Sequence, residues 1–226
     1  GEMAGQFSDA GGLGIAYAFG KFDGILGLGF SSISIDNTPT VFENAIQQNK
    51  VDQPVFAFYL GDNGPGELTF GGYDPDKFEG DLEFVKLEAA TYWEIAMDGV
   101  SAGAFKKEGK ITAIVDSGTS LLVGPKADVS QLANALGATA NIMGEYTIDC
   151  KLVNDLPDIV FTIAGKDYTI PGPSAVIQAQ GTCLFAVMGM QPVGYYDLSS
   201  AGVPVHSTAF RAVHERALQT HWVHTF

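Results

Sequence analysis

Glycine divides this chain: 28 of its 226 residues are glycine, and short apolar runs lie between them in place of long helical repeats. The runs at 55–60, 67–70, 82–87, 159–163 and 183–188 have the length of single strands and end at turn-forming residues. That pattern predicts an all-β chain with few short helices, long enough for one large all-β domain or two small ones. Two helices are expected. Over 41–48, Thr40-Val-Phe-Glu43 matches a capping box, and Val41, Phe42, Ala45 and Ile46 share a face. Near 126–136, Val129, Leu132, Ala133 and Leu136 recur at i, i+3, i+4 and i+7, and Gly137 supplies a stop. The turn cluster Gly71-Gly-Tyr-Asp-Pro75 is a candidate boundary between lobes.

Composition removes several classes of function. With 46% hydrophobic and 17% charged residues the chain is far from the disordered class. A net charge of −14 argues against a nucleic-acid surface or an anchor on anionic lipid, both of which need clustered Lys and Arg. The same charge self-repels at neutral pH and is relieved as carboxylates protonate, which suits work in acid. No apolar stretch has the roughly 18 residues of a membrane span. No basic segment followed by an apolar one opens the chain, and its Gly-Glu-Met start resembles the interior of a longer sequence. Cys150 and Cys183 are either reduced and buried or paired with each other; without Cys-x-x-Cys or a mixed Cys/His set, no zinc site is expected.

The chemistry points to Ala113-Ile-Val-Asp-Ser-Gly-Thr-Ser-Leu-Leu-Val-Gly124, where one carboxylate sits between two apolar runs. Residues 111–115 and 121–123 lack the alternation of a strand with one wet face, so the turn is expected inside the molecule. A buried carboxylate is costly unless neighbours donate to it or it takes up a proton, and either outcome serves an acid/base catalyst. The plainer reading is a tight turn that Asp116 caps through its own side chain.

Beside this stretch stand Phe22-Asp-Gly-Ile-Leu-Gly-Leu-Gly29, Ser31-Ser-Ile-Ser34, Phe70-Gly-Gly72, Tyr92-Trp93, Leu156-Pro-Asp-Ile-Val-Phe-Thr-Ile163 and Cys183-Leu-Phe-Ala-Val-Met-Gly-Met190. In this order and spacing, over about residues 15–192, the chain resembles the pepsin-like aspartic endopeptidases of the cathepsin D and pepsin group. The resemblance implies a bilobal all-β fold with one catalytic Asp per lobe, each on an Asp-Thr/Ser-Gly turn. Residues 1–72 would be the end of the N-terminal lobe, with 22–29 as scaffold, and 73–192 the C-terminal lobe. Asp116 would be the C-lobe aspartate. Ser117 would replace the Thr that grips the opposite loop, Thr119 would hydrogen-bond the carboxylate, and Gly118 would admit substrate backbone. Tyr92 would lie near the primed side of the substrate. Two such carboxyls about 3 Å apart share one proton, so the pair acts as base toward water and acid toward the peptide carbonyl. The resemblance further implies a Cys150–Cys183 disulfide, peptide or protein substrates, pepstatin-type inhibitors and no cofactor. It also implies a place in the secretory pathway, the lysosome or vacuole, or outside the cell.

The sequence departs from the family at both ends. The first Asp-Thr-Gly and the flap would precede residue 1, and residues 1–20 hold no substitute. After Met190 the family's Trp-Ile-Leu-Gly-Asp strand and closing strands have no counterpart, so 193–226 is an atypical tail expected not to complete the sheet. All four histidines (His206, His214, His221, His224) and both arginines (Arg211, Arg216) fall in it, whereas the preceding chain uses Lys alone. A shifted reading frame or an unspliced exon would produce such a break. Phe210, Val213, Ala217 and Leu218 have the spacing of a weak amphipathic helix. His214, His221 and His224 lack a carboxylate or fourth ligand, so no metal is expected. Asp116 has no partner carboxylate, because Asp23 falls in scaffold and Glu94 and Asp98 on an upstream strand, and the isolated chain is expected to be inactive. Two other readings remain: a homodimer whose two Asp-Ser-Gly turns form the dyad, and a non-catalytic peptide-binding protein on a pepsin-like scaffold.

Overall fold

The computed structural model describes residues 26–61, 64–119, 121–141, 145–179, 181–197 and 206–211. Contacts divide the chain at Val85/Lys86 into two compact units. This division lies beyond the turn cluster at 71–75, which falls inside the first unit.

In the first unit, α1 (Val41–Gln47) starts where the sequence places it, with the capping box complete. Glu43 N–H donates to Thr40 Oγ1 at 3.2 Å, and Thr40 N–H donates to Glu43 Oε2 at 2.9 Å. The other oxygen of Glu43 accepts Ser31 N–H at 3.1 Å, which ties the 3-10 turn Ser31–Ile33 to the helix. Phe42 then packs against a hairpin of β1 (Phe56–Tyr59) and β2 (Glu67–Phe70), edge-on to Phe56 at 5.1 Å and tilted toward Phe70 at 5.7 Å.

The second unit is built around one long antiparallel pair. β4 (Trp93–Ala102) and β5 (Phe105–Ile114) run together along their length. On its other side β4 pairs with β3 (Leu87–Ala90) at its start and with β9 (Ile159–Ile163) at its end, and β10 (Lys166–Ile170) extends β9. After the Asp116 turn the chain continues as β6 (Leu122–Pro125) into α2 (Lys126–Ala135). The helix ends in a Schellman motif: Gly137, at φ +73°, donates to Asn134 O at 3.1 Å, and Ala138 N–H reaches Ala133 O at 2.9 Å. Val129, Leu132 and Ala133 bury the inner face in a core shared with Phe105, Ile159 and Phe185. A second sheet has the order β11 (Val176–Ala179), β12 (Thr182–Phe185), β8 (Tyr146–Ile148), β7 (Thr139–Ala140).

The described residues are mainly β, with two α-helices, and the expected strands at 67–70 and 159–163 match in full. Three expectations change. The run at 82–87 is not a strand until Leu87, because residues 82–86 find no ladder partner and Phe84 is 87% exposed. The run at 183–188 is two strands, broken at Ala186, where β12 hands over to β13 (Val187–Asp197). Ala186 itself bonds both ways: its N–H donates to Ala175 O at 2.8 Å and its carbonyl accepts Leu122 N–H at 2.9 Å. In the tail, 193–197 belong to β13 and 194–197 pair with β14 (His206–Arg211), so Phe210 lies in a strand and not in the expected helix; Val213, Ala217 and Leu218 lie outside the described residues.

Cys150 and Cys183 form a disulfide, with Cα atoms 5.4 Å apart and a sequence separation of 33. It ties the 3-10 turn Cys150–Asp155 to β12, whose Cys183 is buried in the core. Replacing both cysteines by alanine should cost about 4 kcal/mol in urea unfolding, the loop-closure entropy of a span of this size. Thiol titration of the unfolded, non-reduced chain should find none. Gly172 gives a second expectation, since a Cβ there would sit 2.4 Å from Leu156 O and 2.7 Å from Leu156 Cβ. Gly172→Ala should therefore lower stability by about 3 kcal/mol in the same assay, the upper end for overpacking.

Candidate active site

The β4–β5 ladder delivers Asp116 to its position. Glu94 faces Ile114, Ile95 faces Ala113, and the last bond beyond the ladder runs from Val115 N–H to Trp93 O at 3.0 Å. Past that bond Asp116 closes the turn with its own carboxylate. Gly118 N–H donates to Asp116 Oδ1 at 2.8 Å, and the Thr119 hydroxyl donates to Asp116 Oδ2. Each oxygen thus holds one donor and keeps lone-pair capacity for a water or a shared proton. The Asx-type turn and the Thr119 contact coexist, one on each oxygen. A Cβ on Gly118 would lie 3.2 Å from Oδ1, so the glycine gives the carboxylate room.

The turn is not buried as the apolar flanks suggested. Asp116, Ser117 and Gly118 are exposed, and so are Ile114 at 48%, Val115 at 62% and Val123 at 44%. Burial in fact alternates along the end of β5, with Ile111 and Ala113 half-buried and Thr112 and Ile114 exposed. The strand therefore has one covered face. Apolar composition alone reported what both faces could tolerate, not what packs on them.

Tyr92 occupies the corner between β3 and β4, and the Val115–Trp93 bond brings that corner beside the start of the Asp116 turn. It is half-buried, and burial raises the pKa of its phenol above the usual value. Asp98 Oδ2 accepts Gly165 N–H at 2.8 Å and so braces the β9–β10 hairpin. That bond depends on a contact distant in sequence, and no local signal announced it. Glu94 lies opposite Ile114 in the ladder and is the carboxylate that this register carries nearest to the turn. Asp23, Ser120 and the histidines His214, His221 and His224 lie outside the described residues. Among the described residues no group of three or more His, Cys, Asp or Glu is placed to hold a metal ion.

The site is thus a carboxylate held by a following glycine N–H and a following threonine hydroxyl, past the end of β5 and leading into β6. Residues 7–199 match the family model described as eukaryotic aspartyl protease. The chain belongs to this family. Its mainly β fold with few short helices agrees with the pepsin-like architecture. Similar relatives include cathepsin D of Clupea harengus, 45% identical over 189 residues, covering 79% of this chain and 48% of the relative. Vacuolar protease A of Aspergillus fumigatus is 40% identical over 189 residues, covering 80% and 48%. Cathepsin E of Rattus norvegicus is 43% identical over 171 residues, covering 73% and 42%. The chain spans about half the length of the relatives it matches. Residues 179–226 also match a second family model, 2-oxoadipate dioxygenase/decarboxylase. A shifted reading frame gives no reason for a protein-family match, so this finding counts against that origin of the tail.

Thr119→Val removes the hydroxyl donor and leaves the Gly118 bond in place. The exposed turn should lose about 1 kcal/mol or less in urea unfolding, and Thr119→Ser should restore it.

Proposed function

We propose that this chain supplies the Asp116 half of a two-carboxylate site in a pepsin-like aspartic endopeptidase, and that its 226 residues alone do not turn over peptides. The observation that carries the reading is the Asp116 turn: a strand-end carboxylate with one donor on each oxygen, in a chain of the aspartyl protease family. Asp-Ser-Gly occurs once in the sequence and Asp-Thr-Gly not at all. A second carboxylate about 3 Å away would force the pair to share one proton. The ionised member would then take a proton from a water as it attacks the peptide carbonyl, while the protonated member donates to the carbonyl oxygen. Gly118 and Thr119 keep the Asp116 carboxylate in one orientation through this exchange. On this reading Ser117, exposed on the turn, bonds the opposing loop, and Tyr92 borders the peptide on its primed side.

The ligands of the completed site are peptides and proteins, with pepstatin-type compounds as inhibitors, and the chemistry needs no cofactor. The net charge of −14 disfavours nucleic acid, and among the described residues no helix is long and apolar enough to cross a membrane. The Cys150–Cys183 disulfide fits an oxidising route. With relatives named cathepsin D and vacuolar protease A, it supports a lysosomal, vacuolar or secreted location.

Cleavage of a fluorogenic peptide between about pH 3 and 5 tests the reading, with pepstatin as control. The chain alone should give no turnover, and adding a separately expressed N-terminal lobe carrying Asp-Thr-Gly should give pepstatin-sensitive cleavage. In that complex Asp116→Asn should lower kcat by about 1000-fold or more with the unfolding midpoint unchanged, since the amide oxygen can still accept from Gly118. Pepstatin-sensitive turnover by the monomer would reveal a second carboxylate, with Glu94 the first to replace. Turnover that tracks dimer concentration would favour a homodimeric dyad, and failure to bind pepstatin even when complemented would favour a binding protein.

A further inference from the structure

β13 takes part in two ladders that never overlap. Val187 to Met190 pair in parallel with Leu122 to Pro125 of β6, whereas Gln191 to Asp197 pair antiparallel with Arg211 to His206 of β14. No residue of β13 bridges both neighbours. The change falls between Met190 and Gln191, next to Pro192, which has no N–H for a ladder, and the register slips between Pro192 and Gly194. Among the described residues β14 pairs with no strand but β13. Among the described residues the β13–β14 hairpin is therefore joined to the other ladders end to end, through the continuous chain of β13, and not side by side across a sheet.

The family matches and the composition also change over the stretch that contains this break. The aspartyl protease match ends at residue 199 and the 2-oxoadipate dioxygenase/decarboxylase match begins at 179, so the handover lies within their overlap. Composition changes too, because every histidine and arginine of the chain lies at or after His206. An extension that evolved with the protease would be expected to continue its sheet and its choice of basic residue.

We propose that the chain is a composite of two polypeptides of unrelated ancestry, joined between Met190 and Asp197, and that the β13–β14 hairpin is a module folded independently of the Asp116 half-site. The strand supplies the seam. Its first four residues complete the parallel pair with β6, and among the described residues the remainder has β14 as its one ladder partner. The inference concerns folding and stands apart from whether the completed site cleaves peptides.

Native-state hydrogen exchange on the full chain tests it, together with a variant that stops after Pro192. Amides of 193–197 and 206–211 should exchange at least roughly 100-fold faster than those of β4, β5 and β9, with their own urea dependence. The shortened chain should keep the urea midpoint of the full chain for the β4–β5 core and an intact Cys150–Cys183 disulfide. Hairpin amides that match the core in protection and urea dependence would overturn the proposal. So would loss of the core transition in the shortened chain.

Discussion

The antiparallel ladder between β4 and β5 is the constraint from which the rest follows. It fixes where Asp116 leaves the sheet, because the last backbone bond is Val115 to Trp93 and the next residue has only its own side chain with which to close the turn. β4 is held in turn at its other end by β9, whose Ile159 is fully buried, and by the core that α2 presses onto the sheet. The disulfide and the Ala186 bonds then set β12 and β13 so that β6 finds a parallel partner on the far side of the turn. A slip of one residue in the β4–β5 register would turn Asp116 to the other face and move it away from the Tyr92 corner.

What could be read from the sequence was what neighbouring residues decide. Thr40 and Glu43 satisfy one another three residues apart, and Gly137 ends α2 through bonds to carbonyls within five residues. Asp116, Gly118 and Thr119 belong to the same class, since both donors to the carboxylate lie within three residues of it. What could not be read depended on distant packing. The apolar run at 183–188 contains no mark of the partner exchange at Ala186, because the bonds that break it come from Leu122 and Ala175. Exposure around Asp116 is not legible in the sequence for the same reason, and the strand at 206–211 carries no signature of its own because its ladder partner, not its periodicity, makes it a strand.

The open turn bears directly on how a half-site of this kind gains its chemistry. Two unit charges 3 Å apart repel by about 1.4 kcal/mol in bulk water and by about 5.5 kcal/mol at an effective dielectric of 20. In an exposed turn a second carboxylate would couple to Asp116 only weakly, and both could ionise. Once water is excluded, the same pair must share a proton, and one member becomes an acid while the other stays a base. Proton sharing therefore needs a cover as well as a second aspartate. Ile114, Val115 and Val123, apolar and exposed on the segments that flank the turn, are the surface on which such a cover would gain hydrophobic energy. On the proposed reading the association that brings the second carboxylate also supplies the low dielectric. The Gly118 and Thr119 donors hold Asp116 in one orientation beforehand, so the chemistry would switch on with assembly and not require the turn to rearrange.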